Sequence, residues 1–183
     1  MILFKNTKDI EDLKRILELQ KANLPENISE DEKRSQGFVT VHHSLTQLQQ
    51  MASFEPQIVA LDEGKVVGYV LCMVSDMRGE FPEIAPMFEM LPSIKMGEKF
   101  LSQYNYIVCG QACVDKRYRG KGLLKKLYEN MKYGFSDKYD MCITEIATSN
   151  SKSMGAHNKI VFESVKTYND GQEDWELVVW NWA

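Results

Sequence analysis

Residues 113–131 read Cys113-Val114-Asp115-Lys116-Arg117-Tyr118-Arg119-Gly120-Lys121-Gly122-Leu123-Leu124-Lys125-Lys126-Leu127-Tyr128-Glu129-Asn130-Met131. A strand end runs into a basic loop with two glycines and then into an amphipathic helix. In that helix Leu123, Leu124, Leu127, Tyr128 and Met131 recur at helical spacing, with Gly134 near its end. Gly120 and Gly122 let the backbone turn tightly, and the first N–H groups of a helix have no partner within it. The segment is therefore expected to cradle a phosphate. Six basic residues (Lys116, Arg117, Arg119, Lys121, Lys125, Lys126) and no acidic one fall within positions 116–126, in a chain of formal charge −4, so the remainder carries −10. Positive charge concentrated in one loop suits a small polyanion and argues against a nucleic-acid surface.

Outward from this loop, Tyr106 to Val114 reads as a strongly β-favouring strand before it, and Met141 to Ala147 as the strand after its helix. Ser151 to Phe162 is expected to be helical. Val165 to Tyr168 and Trp175 to Trp182 form a terminal hairpin across Asn169-Asp170-Gly171. Toward the N-terminus, Ile2 to Lys5 is a short strand and Ile10, Leu13, Ile16 and Leu17 mark a helix. Ser29 with Glu32, and Ser44 with Gln47, fit capping boxes of two short helices flanking the β-favouring run Phe38 to His42. Gln57 to Leu61 and Lys65 to Val74 pair across Asp62-Glu63-Gly64. Residues 76–104 hold three prolines and four methionines, so short helical pieces are expected, with the methionines either in the core or along a substrate cleft. Strands alternating with helices in the middle and hairpins at both ends imply a mixed sheet with helices on both faces.

With 183 residues and 44% hydrophobic content, the chain is expected to form a single domain over 1–183. No run approaches the roughly 18 to 20 apolar residues of a membrane span, and no leader pattern opens the chain, so no membrane association and a cytoplasmic location are expected. Cys72, Cys109, Cys113 and Cys142 lack metal or redox spacing and read as buried thiols. Three histidines without a His-Glu-x-x-His pattern argue against a metal site.

The loop has no Gly-Lys-Ser/Thr and no third glycine, so neither a Walker loop nor a dinucleotide fingerprint fits. Farther on, Asn150 precedes His157 by seven positions, two helical turns, so both fall on one helix face, and Phe162 follows. Together these features resemble the GNAT acyltransferase superfamily, specifically over residues 105–163. Tyr118-Arg119-Gly120-Lys121-Gly122-Leu123 is similar to its pyrophosphate loop, with Leu124 where Gly or Ala is usual. Arg117, Gly120 and Gly122 fit the pattern one register earlier. Asn150, His157 and Phe162 match the family's Asn, Tyr and Gly-Phe positions, with His157 in place of Tyr and Val161 in place of Gly.

The resemblance implies a twisted, mostly antiparallel α/β (α+β) sheet of about six to seven strands, and acetyl-coenzyme A as cosubstrate with no metal. It also implies a cofactor site of Ala112, Cys113, Val114, Arg119, Gly120, Lys121, Gly122, Leu123, Leu124 and Asn150. The expected activity is N-acetyltransfer to a primary amine of a small molecule, peptide or protein, in a monomer or homodimer. The alternative is a noncatalytic acyl-coenzyme A-binding module. His157 reads either as a general acid for the departing thiolate or as a hydrogen-bonded structural histidine. Asn150 reads as a pantetheine partner or a helix cap, and Glu145 as the base or an outward-facing structural acid. Gln111 is placed to position a water. Cys109 and Cys113, four apart and so on one strand face in regular alternation, raise a covalent acyl-enzyme. Direct transfer is preferred because neither thiol has an evident basic partner.

Overall fold

The computed structural model describes residues 1–36 and 38–182. Strand β1 (Leu3–Thr7) leads into α1 (Ile10–Ala22), capped by the Asp9 side chain on the Glu11 N–H. Helices α2 (Glu30–Gln36) and α3 (Leu45–Phe54) start at the two expected capping boxes, Ser29 with Glu32 and Ser44 with Gln47. Strands β2 (Gln57–Asp62) and β3 (Lys65–Met73) are joined through Glu63 and Gly64, both at positive φ, as a tight hairpin demands.

Single helical turns, α4 (Ala85–Met90) and the two-residue strands β4 (Lys95–Met96) and β5 (Lys99–Phe100) fill the segment before β6 (Tyr106–Val114). After β6 come α5 (Leu123–Phe135), β7 (Met141–Ala147), α6 (Ser151–Asn158), β8 (Glu163–Asn169) and β9 (Asp174–Asn181).

Seven strands form one sheet in the order β1-β2-β3-β6-β7-β9-β8, antiparallel except for β6 and β7. One face packs on α1 and α3 through Leu13, Ile16, Leu48 and Met51. The other packs on α5 through Leu127, Tyr128 and Met131. The mixed, mostly antiparallel sheet with helices on both faces is the expected one. The parallel pair is short: Tyr106 to Val108 face Met141 to Ile143, and beyond them the strands carry no further pairing. That divergence leaves a backbone edge of β6 without a ladder partner and opens a gap in the middle of the sheet.

Several expectations are corrected. Phe38 to His42 forms no strand. The loop is tied down by Val39 N–H to Asn23 O and by Gln111 Nε2 to Val41 O. A β-favouring composition forms a strand only beside a free sheet edge. Met77 and Met87 are fully buried core residues, which removes them from any cleft.

Helix α6 ends at Asn158, four residues before the expected Phe162. Its end is a Schellman arrangement in which Phe162 N–H reaches His157 O and Val161 N–H reaches Asn158 O, with Val161 at φ 68°. Cys109 and Cys113 lie on opposite faces, because a bulge at Gly110 breaks the alternation of β6.

Candidate active site

Gly120 and Gly122 have φ of 73° and 76°. A Cβ built on either meets nothing within 4 Å, so conformation and not crowding selects glycine here. Gly122 is the N-cap of α5 and supplies no side-chain cap. The first N–H to find a helical acceptor is that of Lys126, on Gly122 O at 3.2 Å. The N–H groups of Leu123, Leu124 and Lys125 are left for a ligand, where the positive end of the helix dipole favours an anion.

A cleft of about 780 Å³ opens in front of them. Ala112, Cys113 and Val114 line it from β6, with Arg119, Gly120, Gly122, Leu123 and Leu124 from the loop and Asn150 and His157 from the α6 side. Residues that sequence reasoning did not name also line it: Asn23 after α1, Phe38 and Val39 of the tied loop, and Lys152 and Lys159. Asn23, Phe38 and Val39 are brought in from distant segments by the fold, whereas Lys152 and Lys159 lie on and just after α6 itself. Leu124, the departure from the usual small residue, lies partly against the apolar layer beneath α5, which accommodates its side chain.

The basic side chains behave differently from the backbone. Arg119 Nε donates to Val114 O and its guanidinium to Asn23 Oδ1 at 2.6 Å, tying the loop to the end of α1. Arg117 pairs with Asp115 and Lys116 with Glu32. Lys121 does not line the cleft. Its Nζ donates to Arg117 O and lies over the Tyr118 ring. Much of the charge run thus braces the loop, while Lys125, with Lys152 of α6 and Lys159 just after it, lines the cleft beside the main-chain N–H donors.

Asn150 caps α6 by accepting the Ser153 N–H, with Nδ2 directed at Phe38 O at 3.4 Å. His157 is 5% exposed. Its Nδ1 lies 2.8 Å from Ser153 O, and a carbonyl can only accept, so Nδ1 carries the proton. Nε2 is then the acceptor of the Tyr128 hydroxyl at 2.8 Å, and the Cys109 thiol lies 3.1 Å from the same hydroxyl. Burial lowers the imidazole to about 4, against a partial rise from the Ser153 carbonyl. The ring is therefore neutral near pH 7 with both nitrogens engaged, the arrangement of the structural alternative. The charged donor expected at this position is not what the geometry holds.

Glu145 does not line the cleft cavity. It extends from β7 beyond the parallel pairing, opposite Leu177, on the sheet face that carries α1 and α3. Burial raises its carboxyl to about 7, opposed by a bond from the Tyr168 hydroxyl and reinforced by Asp170. Cys109 and Cys113 are pushed up to about 11 and 12 by burial, so neither is a nucleophile near neutrality. Gln111 is largely engaged: Oε1 accepts from Tyr69 and Gln20, which also holds His43, and one Nε2 N–H donates to Val41 O. Among the described residues no group of three metal-ligating side chains occurs, and no helix is long and apolar enough to cross a membrane.

The fold recurs in solved structures. The NatC complex bound to Gag peptide and CoA aligns with a TM-score of 0.64 at 16% identity, covering 100% of this chain and 99% of that one. The ribosomal-protein-S18-alanine N-acetyltransferase from Escherichia coli gives 0.60 at 14%, covering 99% and 94%. NAA60 of Arabidopsis thaliana in complex with acetyl-CoA gives 0.59 at 15%, covering 99% of each. At these identities the likeness is one of fold. No curated protein matches by sequence. Residues 13–161 match the acetyltransferase (GNAT) family. With that match over most of the chain, an uncapped glycine-turned helix start facing a cleft and a central parallel pair that splays apart, the protein belongs to the GNAT acetyltransferase family.

Proposed function

We propose that the protein is an acetyl-coenzyme A-dependent N-acetyltransferase that transfers the acetyl group to a primary amine by direct attack. The observation that carries this reading is the cleft, which joins an unsatisfied helix start at Leu123–Lys125 to the unpaired edge of β6 at Ala112–Val114. The helix start suits a pyrophosphate, and a free strand edge suits the amides of a pantetheine arm. Glu145, outside the cleft lining on β7 and with a carboxyl near 7, removes a proton from the ammonium through water. The amine then attacks the thioester carbon, the C–N bond forms, the C–S bond breaks, and the nitrogen gives its second proton to water as the amide forms. His157 shapes the cleft wall through Tyr128, and the departing thiolate takes its proton from water.

The base also sorts acceptors. An α-amine titrates at about 7.7–8.0 and a lysine at about 10.4, so a carboxylate near 7 suits a peptide N-terminus far better than a lysine side chain. Two similarly folded proteins support a peptide or protein acceptor, one bound to a Gag peptide and one named for a ribosomal-protein alanine.

A noncatalytic acyl-coenzyme A-binding module is the second reading, favoured by one observation: His157 has no N–H directed at a leaving group. Calorimetry with acetyl-coenzyme A tests the shared premise. Thiol release across peptides with free α-amines, and across Nα-blocked lysine peptides, separates the two. Release with α-amines supports the enzyme, and binding without release to any amine supports the module.

A further inference from the structure

Strand β8 pairs with β9 in regular alternation except at Val165, where one residue is extra: Ser164 faces Val178 and Lys166 faces Leu177. A one-residue shift reverses the face of every later side chain. Without the bulge Tyr168 would lie opposite Asp174. With it, Tyr168 lies opposite Trp175, on the sheet face of Leu177 and Glu145. Its hydroxyl donates to Glu145 Oε2. Among the described residues Glu145 Oε1 accepts no bond, and the residue is only partly buried. Around this carboxylate, Leu177 and Trp175 come from β9, and Asp170 from the turn is occupied by the N–H groups of Gln172 and Glu173 and by Trp175 Nε1.

We propose that Tyr168 is a positioning residue for acetyl transfer, delivered by the Val165 bulge to hold one oxygen of Glu145 so that the other takes the proton of the acceptor amine. Bulges beside active sites commonly re-aim a side chain in this way. The inference rests on Glu145 being the base. A donor to the ionised carboxylate favours that form, so removing it raises the carboxyl's pKa.

The test compares wild type, Tyr168→Phe and Glu145→Gln in two measurements: the pH dependence of kcat/KM for a peptide α-amine, and the carbon-13 titration of the Glu145 carboxyl in wild type and Tyr168→Phe. In Tyr168→Phe both the acidic limb and the carboxyl titration should move up by about one pH unit, with the high-pH plateau lowered by less than about tenfold. A purely structural role would lower activity without moving either curve, and that result overturns the proposal. Glu145→Gln should remove the limb near 7, leaving only that of the amine itself at about 7.7–8.0. If it does while Tyr168→Phe leaves limb and titration in place, only the role of Tyr168 fails. If Glu145→Gln keeps both turnover and limb, the base assignment fails and the positioning role falls with it.

Discussion

At the α5 end the cleft is lined by the backbone N–H donors of Leu123 to Lys125, presented by two glycines at positive φ, with Arg119 and Lys125 side chains beside them. Outside the cleft lining, on the sheet face that carries α1 and α3, the paired groups are side chains, Glu145 and Tyr168, drawn from strands that meet only through β9. The first end is local, and its donors keep the same chemistry at any pH. The second is assembled from distant segments and depends on a carboxyl held near 7 by burial. The contrast separates grip from chemistry: main-chain donors hold an anion without titrating, whereas a buried acid can exchange protons near neutrality at a cost in stability.

Removing the acid breaks the comparison most sharply. Glu145→Gln should lower turnover by about 100-fold or more, while calorimetry should find acetyl-coenzyme A affinity changed by less than about twofold. The same variant reports the cost. The carboxyl is raised from 4.5 to about 7, so between those values the folded protein binds more protons than the unfolded chain, and stability falls as pH rises. At pH 8 the variant should exceed wild type by up to about 3 kcal/mol in denaturant unfolding, with the difference gone near pH 4.

The histidines shift the opposite way. Burial lowers both His43 and His157 from 6.5 to about 4. The unfolded chain therefore takes up protons first, and stability present at pH 7 is lost as pH falls through 6.5 toward 4. Each site should contribute up to about 3 kcal/mol of that loss. Replacing His157 with Gln should flatten the acid limb of the stability curve by one such contribution, and an unchanged limb would show that the ring is already charged.

The smallest effect belongs to the helix end between the two regions. Val161 is 64% exposed and holds a left-handed φ of 68°, costly for a β-branched residue by about 1–2 kcal/mol. Val161→Gly relieves that strain but loosens the unfolded chain, so the net gain should be at most about 1 kcal/mol, read as a rise in Tm of about 2–4 °C. A fall in Tm would mean that the valine side chain packs favourably.

Legibility in the sequence follows the same division. The phosphate loop, the strands on either side of it and Asn150 with His157 lie within one continuous stretch, and periodicity together with two glycines marks them. The 38–42 run failed as a strand because composition does not reveal which sheet edges are free. The bulges at Gly110 and Val165 were invisible, because each shifts a face without a signal of its own. The first separated Cys109 from Cys113, and the second brought Tyr168 to Glu145. The charge of the loop misled in a different way, since counting lysines and arginines does not show that Asp115, Glu32, Asn23 and main-chain carbonyls engage several of them.

Calorimetric titration of acetyl-coenzyme A into wild type, Gly122→Ala and Lys121→Ala tests the central claim most directly. The account predicts one saturable site, weakened by about tenfold in the glycine variant, where a Cβ strains the left-handed turn that aims the helix start, and by less than about threefold in the lysine variant. Absence of binding to wild type, or a loss in Lys121→Ala that equals or exceeds the loss in Gly122→Ala, would contradict it.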